Sequence, residues 1–160
     1  MATMNKLSPE LRTFLQLYKW HEIDPIPWAA KTTPLSQSRV GLVVTACMTM
    51  ADQTPFDAGR DENDASIRYI PSDTDPRTLV NTYPAQAFDH SGLQADPDLL
   101  VPINRLREME YAGEIGELAP RVVSLCGHLP KPRALIEESA PDIARLFAGD
   151  RVDTVICVPA

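Results

Sequence analysis

The stretch Arg39-Val-Gly-Leu-Val-Val-Thr45 decides the fold, because its interior is apolar without interruption. Apolar runs of this length are typical of strands that are covered on both faces, as in parallel sheets. Two similar stretches follow near the end of the sequence, and we expect both to be buried strands: Arg121-Val-Val-Ser-Leu-Cys126 and Asp153-Thr-Val-Ile-Cys-Val-Pro159. The three stretches together predict a mainly parallel sheet.

Two segments have helical patterns: one lies between the last two predicted strands, and the other lies before them. Residues 134–148 are amphipathic, although Pro141 should kink or divide the helix. Residues 98–113 predict a second amphipathic helix that Gly113 ends, with Tyr111 facing inward. Ser66–Ile70 alternates polar and apolar residues, as a half-buried strand does. The predicted fold is an α/β three-layer sandwich with a Rossmann-like or flavodoxin-like sheet.

The first 38 residues are predicted to be an N-terminal helix and a Pro-rich linker, ahead of an α/β domain at 39–160. Ser8-Pro9-Glu10 is typical of a helix start, with a capping serine, a proline in the first turn and an acid near the positive end of the dipole. Pro25 and Pro27 should stop the helix. Residues 47–65 lack periodicity, which indicates a long loop.

Composition argues against two classes of partner. The 160 residues carry a formal net charge of −7, and the 15 Lys and Arg residues are scattered, whereas nucleic-acid binding requires a concentrated cationic face. No apolar run approaches the roughly 18 residues that cross a bilayer, and the N-terminus lacks a secretory signal. We therefore expect a soluble, cytoplasmic protein without nucleic-acid or membrane partners.

The three cysteines are expected to be free thiols, because their number is odd and no CxxC pair occurs. Cys126 follows a strand and precedes Gly127-His128, which suits a thiolate activated by an imidazole, or equally a small buried apolar residue. Cys47 follows the first strand with the same two interpretations and greater expected exposure. Cys157 should lie in the core.

Metal and dinucleotide cofactors are not indicated. The cysteines are widely separated, and His21, His90 and His128 show no zinc-ligand spacing. No Gly-x-Gly-x-x-Gly follows the first strand, so a nicotinamide or flavin dinucleotide is not implied.

Parallel strands should bring three segments to one edge of the sheet: the loop after Thr45, residues 126–128 and residues 158–160. Ligands collect at this carboxyl edge in open α/β sheets, so we place the site there. Asp64, Ser66 and Arg68 begin the neighbouring strand. Arg68 is predicted to bind a substrate carboxylate through two parallel hydrogen bonds, with a structural salt bridge inside the loop as the alternative.

Several phrases, in order, resemble the selenoprotein B subunit family of the glycine, sarcosine, betaine and D-proline reductases. The resemblance runs from about Arg39 to Ala160. It rests on these phrases: Arg39-Val-Gly-Leu-Val-Val-Thr45, Pro55-Phe56, Asp64-Ala-Ser-Ile-Arg-Tyr-Ile-Pro71, Phe88-Asp89, Pro102-Ile-Asn-Arg-Leu-Arg107, Gly113-Glu-Ile-Gly-Glu-Leu-Ala119, Ile143-Ala144 and Val152-Asp-Thr-Val155.

The resemblance implies reductive cleavage of a carbon–nitrogen bond in a small amino-acid-like substrate, with electrons drawn from thiols. It also implies a partner subunit that carries a pyruvoyl group. The family's redox residue, selenocysteine or cysteine, follows the final strand in a (U/C)-x-x-C motif, and so is expected just after Ala160. We expect that translation or gene calling stopped at a selenocysteine codon.

Two departures affect the expected chemistry. Ala46-Cys47-Met48-Thr49 stands where the family often has a Gly-Val-His-like run, and residues 84–87 replace histidines that precede the aromatic-Asp pair. Both changes remove imidazoles, which are common proton donors. Of the remaining candidates, Asp89 is either half of a carboxylate–imidazole pair or a surface residue. Arg105 either fixes its helix against the Asp64 loop or makes a solvated ion pair.

Two functions follow from these observations. The first is a thiol-dependent reductase subunit, with Cys47 and Cys126 as catalytic candidates and Asp64, Ser66, Arg68, Asp89 and Arg105 as substrate-binding candidates. The second is a non-catalytic binding or assembly module whose terminal strand edge adds a partner or a second copy.

Overall fold

The computed structural model describes residues 7–18, 23–56, 64–82, 91–127 and 129–159. The chain divides into two compact units, Met1–Ala30 and Lys31–Ala160. This division falls closer to the N-terminus than the predicted boundary after residue 38.

The first unit contains helix α1, Pro9–Leu17. Ser8 caps it, since its side chain accepts a hydrogen bond from the backbone nitrogen of Leu11 at 3.3 Å. The helix therefore starts where the sequence predicts, and it buries none of its side chains.

The second unit combines strands and helices in the alternating order that the sequence predicts. Its elements are β1 (Arg39–Val44), β2 (Met48–Thr49), β3 (Arg68–Pro71), β4 (Val80–Asn81), α2 (Ser91–Ala95), α3 (Ile103–Tyr111), β5 (Glu117–Ser124), α4 (Ala140–Gly149) and β6 (Thr154–Val158). The two short strands and α2 were not predicted, because two to five residues carry no readable periodicity.

Four strands form one sheet in the order β3-β5-β1-β6. β1 is parallel to both β5 and β6, and only the β3–β5 pairing in this sheet is antiparallel. β2 and β4 pair separately as an antiparallel ribbon. The α/β fold with a mainly parallel sheet is therefore confirmed.

Helices cover both faces of the sheet. On one face, buried residues of β1 and β5 pack with Ile103 and Leu106 of α3. On the other face, Val123 and Leu125 pack with residues of α4, of which Phe147 is the largest. β1 is consequently almost entirely buried, as its apolar sequence requires.

β5 begins earlier than predicted and is irregular. Val40 pairs with Leu118 and Leu42 pairs with Val122, so the register shifts between these two pairs. Pro120 lies within the shift, where its missing N–H costs no regular ladder bond. This proline concealed the first half of the strand in the sequence.

α3 starts at Ile103 rather than at residue 98, with Pro102 at the N-cap. The carboxylate of Asp98, ahead of the helix, accepts hydrogen bonds from the backbone nitrogen and the side-chain amide of Asn104 at 2.8 and 2.7 Å. Tyr111 is 97% exposed, so the prediction that it faces inward is wrong. Met109 packs on the core, and two residues further along the helix turn the side chain by about 200°. Gly113 follows the helix with φ of 73°, as its predicted stop requires.

The helix that the sequence predicts at 134–148 is divided, as Pro141 indicates. Leu135–Ser139 is a π-helical segment that continues into α4. Pro141 has no N–H to donate to the preceding turn, which is a physical reason for the change of helix type. The hydroxyl of Ser139 donates to the carbonyl oxygen of Ala65 at 2.5 Å, and so ties this segment to the start of β3.

β6 lies at the edge of the sheet, and the expectation of a buried strand is wrong. Its residues are half-buried or exposed, with Val155 at 45% exposure. Cys157 is exposed rather than in the core. The apolar sequence failed as an indicator here because an edge strand keeps one neighbour only, and α4 covers the strands nearer the centre.

Gly116 marks the closest backbone approach near the start of β5. A Cβ atom there would lie 2.6 Å from the carbonyl carbon of Gln37. Its N–H also donates to the carbonyl oxygens of Leu35 and Ser38 at 3.2 and 3.1 Å. Glycine is therefore required for this packing.

Candidate functional site

The carboxyl ends of three strands meet at one edge, as predicted. Val44 pairs with Ser124 on one side and with Val158 on the other. The backbone nitrogen of Thr45 donates to the carbonyl oxygen of Val158 at 3.1 Å. The chain beyond β1, β5 and β6 thus emerges at the same place, while His128 and Ala160 lie outside the described residues.

Cys47 and Cys126 are joined in a disulfide, so the expectation of free thiols is wrong for this pair. An antiparallel bridge between Ala46 and Cys126 brings the two loops together, and the cysteine Cα atoms are 4.4 Å apart. The pairing could not be inferred from spacing because 79 residues separate the two cysteines. Within the described residues, Cys157 is the free cysteine.

Cys47 is the more deeply held of the two. It is 0% exposed and Cys126 is 7% exposed, which reverses the expected order of exposure. The backbone nitrogen of Cys47 donates to the carbonyl oxygen of Leu125 at 2.9 Å, and its own carbonyl oxygen accepts from the backbone nitrogen and hydroxyl of Thr82 at 3.1 and 2.7 Å. Its φ of 50° is uncommon for a residue other than glycine, and such conformations concentrate at functional sites.

Phe56 covers the disulfide. It is 4% exposed and forms one buried cluster with Cys47 and Cys126. The guanidinium carbon of Arg68 lies 4.4 Å from the centre of the Phe56 ring, which is a cation–π contact. In the sequence, Phe56 stood out only as part of the Pro55-Phe56 segment, and nothing there indicated that it contacts the cysteines or Arg68.

Arg68 is held by its own loop. Its Nε donates to the carbonyl oxygen of Thr54 at 2.7 Å, and one terminal nitrogen donates to that of Pro55 at 3.2 Å. The other terminal nitrogen donates to the hydroxyl of Ser66 at 2.8 Å and to the carbonyl oxygen of Ile67 at 3.1 Å. Four of its five N–H groups are therefore used, and they anchor residues 54–55 to the start of β3. These bonds correspond to the structural alternative for Arg68, although its partners are three carbonyl oxygens and the Ser66 hydroxyl rather than a carboxylate.

Asp64 and Ser66 join the same network. The backbone nitrogen of Ser66 donates to a carboxylate oxygen of Asp64 at 2.9 Å, and the Ser66 hydroxyl donates to the same oxygen. Ser66 thereby connects the carboxylate to Arg68. The three predicted residues lie together, and their role toward a substrate stays a prediction.

Arg105, a further predicted substrate-binding residue, does not join this group. Arg105 donates to the carboxylate of Glu108 on its own helix at 2.8 Å, and both side chains are exposed. This is the solvated ion pair that the sequence allowed as an alternative. Asp89 and its neighbour His90 lie outside the described residues.

Ser124 is a polar residue of this edge that sequence reasoning missed. It is fully buried at the end of β5, and within the described residues its hydroxyl has no hydrogen-bond partner. It pairs in register with Val44 and Arg68, so it lies between the central strand and the start of β3. Buried polar groups without partners are few in native proteins, which singles out this position.

Ion pairs concentrate at the opposite edge. Arg121 donates two hydrogen bonds to the carboxylate of Asp150 at 3.0 and 2.9 Å, and these bonds raise the pKa of the guanidinium. Arg39 pairs with Glu117 at the amino ends of β1 and β5. The opposite edge therefore carries these ion pairs, whereas the carboxyl edge carries the cysteine pair and the Asp64–Ser66–Arg68 group.

Among the described residues, no group of three His, Cys, Asp or Glu side chains is placed to hold a metal ion. In the same part of the chain, no helix combines the length and apolar character needed to span a bilayer.

Comparison with known proteins gives the family. The family described as glycine/sarcosine/betaine reductase selenoprotein B matches residues 10–160. D-proline reductase subunit gamma of Acetoanaerobium sticklandii is 28% identical over 135 residues, which cover 84% of this chain and 54% of that protein. The chain thus spans about half the length of this curated relative. No solved structure matches the chain. Because the family match covers nearly all of its length, the chain belongs to the glycine/sarcosine/betaine reductase selenoprotein B family.

Proposed function

We propose that this chain is a subunit of a thiol-dependent reductase that cleaves a carbon–nitrogen bond in a small amino-acid-like substrate. The family and the D-proline reductase relative support a role in a reductase complex. The single observation that carries the proposal is a cysteine pair at the carboxyl edge of the sheet in a member of this family.

The overall chemistry balances with a dithiol as electron donor. Cleavage of one carbon–nitrogen bond consumes two electrons and two protons, and each of the two ends gains one hydrogen. The donor dithiol loses the same two electrons and two protons when it becomes a disulfide. In this proposal Cys47 and Cys126, once reduced, hold two electrons at the edge where ligands bind in such sheets.

The polar residues near β3 are assigned secondary roles. Asp64, Ser66 and Arg68 form one hydrogen-bonded group beside the cysteine pair's cover, Phe56. Within the described part of the chain, Arg68 uses four of its five N–H groups on its own segment, so we propose that it mainly anchors the loop. Substrate-binding roles for Asp89 and Arg105 stay predictions of the sequence.

The family also suggests groups that complete the reaction. We propose a redox selenocysteine or cysteine just after Ala160, and a pyruvoyl group on a partner subunit. The geometry fits the first, since β6 delivers its carboxyl end beside Thr45, two residues before Cys47. A selenolate or thiolate supplies a strong nucleophile, and a pyruvoyl carbonyl supplies an electrophile. The partner is a different subunit or a second copy, in a cytoplasmic complex.

The test uses the complex purified from its native cells through a tag on this chain. Dithiothreitol-dependent release of ammonia, an amine or a ring-opened amino acid is measured with glycine, sarcosine, betaine and D-proline. We expect one of these substrates to react, and Cys126→Ser to lower the rate by at least about tenfold. Cys157→Ser is the matched control and should keep the rate. Unchanged turnover in Cys126→Ser would show that the cysteine pair takes no part in the reaction.

A non-catalytic module is the second candidate, and the exposed edge of β6 favours it. β6 pairs with β1 on one side, and Val155 and Cys157 are exposed. An open strand edge invites addition of another strand. A complex that copurifies with this chain but shows no dithiol-dependent turnover with any of the four substrates would support this candidate.

A further inference from the structure

We propose that Cys47–Cys126 is a closed dithiol–disulfide exchange site, in which an incoming dithiol attacks Cys126 and the Phe56–Arg68 pair controls its access. The proposal deepens the proposed function and rests on it for its biological meaning. The ligand class is a dithiol, either a small molecule or a protein with two neighbouring cysteines.

The surroundings of the two sulfurs make the site asymmetric. Cys47 is fully buried, and its backbone is fixed by hydrogen bonds to Leu125 and from Thr82. Cys126 retains 7% exposure, and Gly127 follows it directly. Thiol–disulfide exchange requires a thiolate to reach one sulfur, and access decides which one. Cys126 is therefore the attacked sulfur and Cys47 the leaving one.

Phe56 limits this access. It belongs to the same buried cluster as the two cysteines, so its ring lies against the disulfide. Arg68 stands over the ring at 4.4 Å and is itself anchored by four hydrogen bonds to residues 54, 55, 66 and 67. Moving the ring away from the cysteines breaks the cation–π contact. Exchange therefore requires a local opening in which Phe56 and Arg68 move apart from the disulfide.

The exchange step balances within this set of groups. A thiolate of the donor attacks the Cys126 sulfur, a bond forms between them, and the Cys47–Cys126 bond breaks to release the Cys47 thiolate. The donor's second thiolate then attacks the donor sulfur of the mixed disulfide and releases the Cys126 thiolate. The donor ends as a disulfide, the chain gains two electrons, and both cysteines take up protons according to their pKa values.

The first experiment measures how fast dithiothreitol reduces the disulfide in the purified chain. Samples are alkylated at timed intervals, and labelled Cys47 and Cys126 are counted by mass spectrometry. We expect reduction to be about tenfold faster in Phe56→Ala and about fivefold faster in Arg68→Ala, as loss of the cover and of its cation–π contact requires. Arg145→Ala, at an exposed arginine on α4, is the matched control and should match the parent.

Phe56→Leu keeps an apolar side chain and gives the same comparison if Phe56→Ala does not fold, with circular dichroism as the check. Reduction of Phe56→Leu and Arg68→Ala within about twofold of the parent rate would overturn the cover. The assay needs no substrate, so its failure is distinct from the failure of the reductase proposal, which the turnover assay detects.

The second experiment tests which sulfur is attacked. Cys47→Ser leaves Cys126 as the site thiol, and Cys126→Ser leaves Cys47. Reaction with an aromatic disulfide should be about tenfold faster for Cys126 than for Cys47, because exposure governs exchange at equal donor strength. Faster reaction of Cys47 would reverse the assignment.

Discussion

Reduction of the Cys47–Cys126 disulfide should lower the free energy of unfolding by several kcal/mol. The bond closes a loop with a sequence separation of 79 residues. In the chain-entropy description, a loop of this length removes about 4.5 kcal/mol of unfolded-state entropy at 25 °C, which is an upper value because the unfolded chain keeps some structure. We therefore expect a loss of about 3–4 kcal/mol.

Urea unfolding followed by circular dichroism, with and without a phosphine reductant, measures this loss. With a slope of about 2 kcal/mol per molar urea, the midpoint should fall by about 1.5–2 M on reduction. A Cys47→Ala, Cys126→Ala double variant should unfold near the reduced midpoint in either buffer, and Cys157→Ala should behave as the parent because that thiol makes no bond. A midpoint shift worth less than about 0.5 kcal/mol would refute the disulfide as a constraint on this fold.

Two further predictions concern packing and charge. Gly116→Ala should lower the free energy of unfolding in urea by about 2–3 kcal/mol, because the new methyl group would lie 2.6 Å from backbone atoms. Gly149→Ala is the control: this position has open space around it, so the change should leave the free energy of unfolding unaltered or stabilise α4. Equal midpoints for the two variants would contradict the close approach at Gly116. Hydrogen bonds from the side chain and backbone of Arg77 lower the pKa of Asp75 below its model-compound value of 3.8, so its contribution to stability is present above pH 3.8 and is lost as the pH falls below it. Asp75→Asn should therefore flatten the fall in the free energy of unfolding below pH 3.8, and an identical acid profile would show that the pair contributes nothing.

The sheet could be predicted because the apolar sequence of its central strand is typical of a strand that is covered on both faces. Residues 40–44 are apolar throughout, and β1 indeed pairs with strands on both sides and is covered on both faces. The strand–helix–strand unit at the end was predicted for the same reason. β6 was misjudged because an apolar edge strand and an apolar central strand have the same pattern, and only the neighbours differ.

The meeting of three strand ends at one edge was predicted, but the disulfide at that edge was not. Parallel topology alone places the ends of β1, β5 and β6 together, so the edge followed from the order of elements. The disulfide depends on an antiparallel bridge at Ala46 that no local pattern signals. Phe56 and Arg68 were named in separate segments of the sequence, and nothing in either segment indicates their contact.

The proposed reductase function requires Cys47 and Cys126 to change oxidation state during turnover. The decisive measurement is differential alkylation of both cysteines in the native complex, pre-reduced with dithiothreitol, freed of reductant and then given an excess of the substrate that turns over. We predict that both cysteines lose their label together and return to the disulfide within one turnover, while Cys157 stays labelled. Cysteines 47 and 126 that remain labelled after the substrate has been reduced would contradict it.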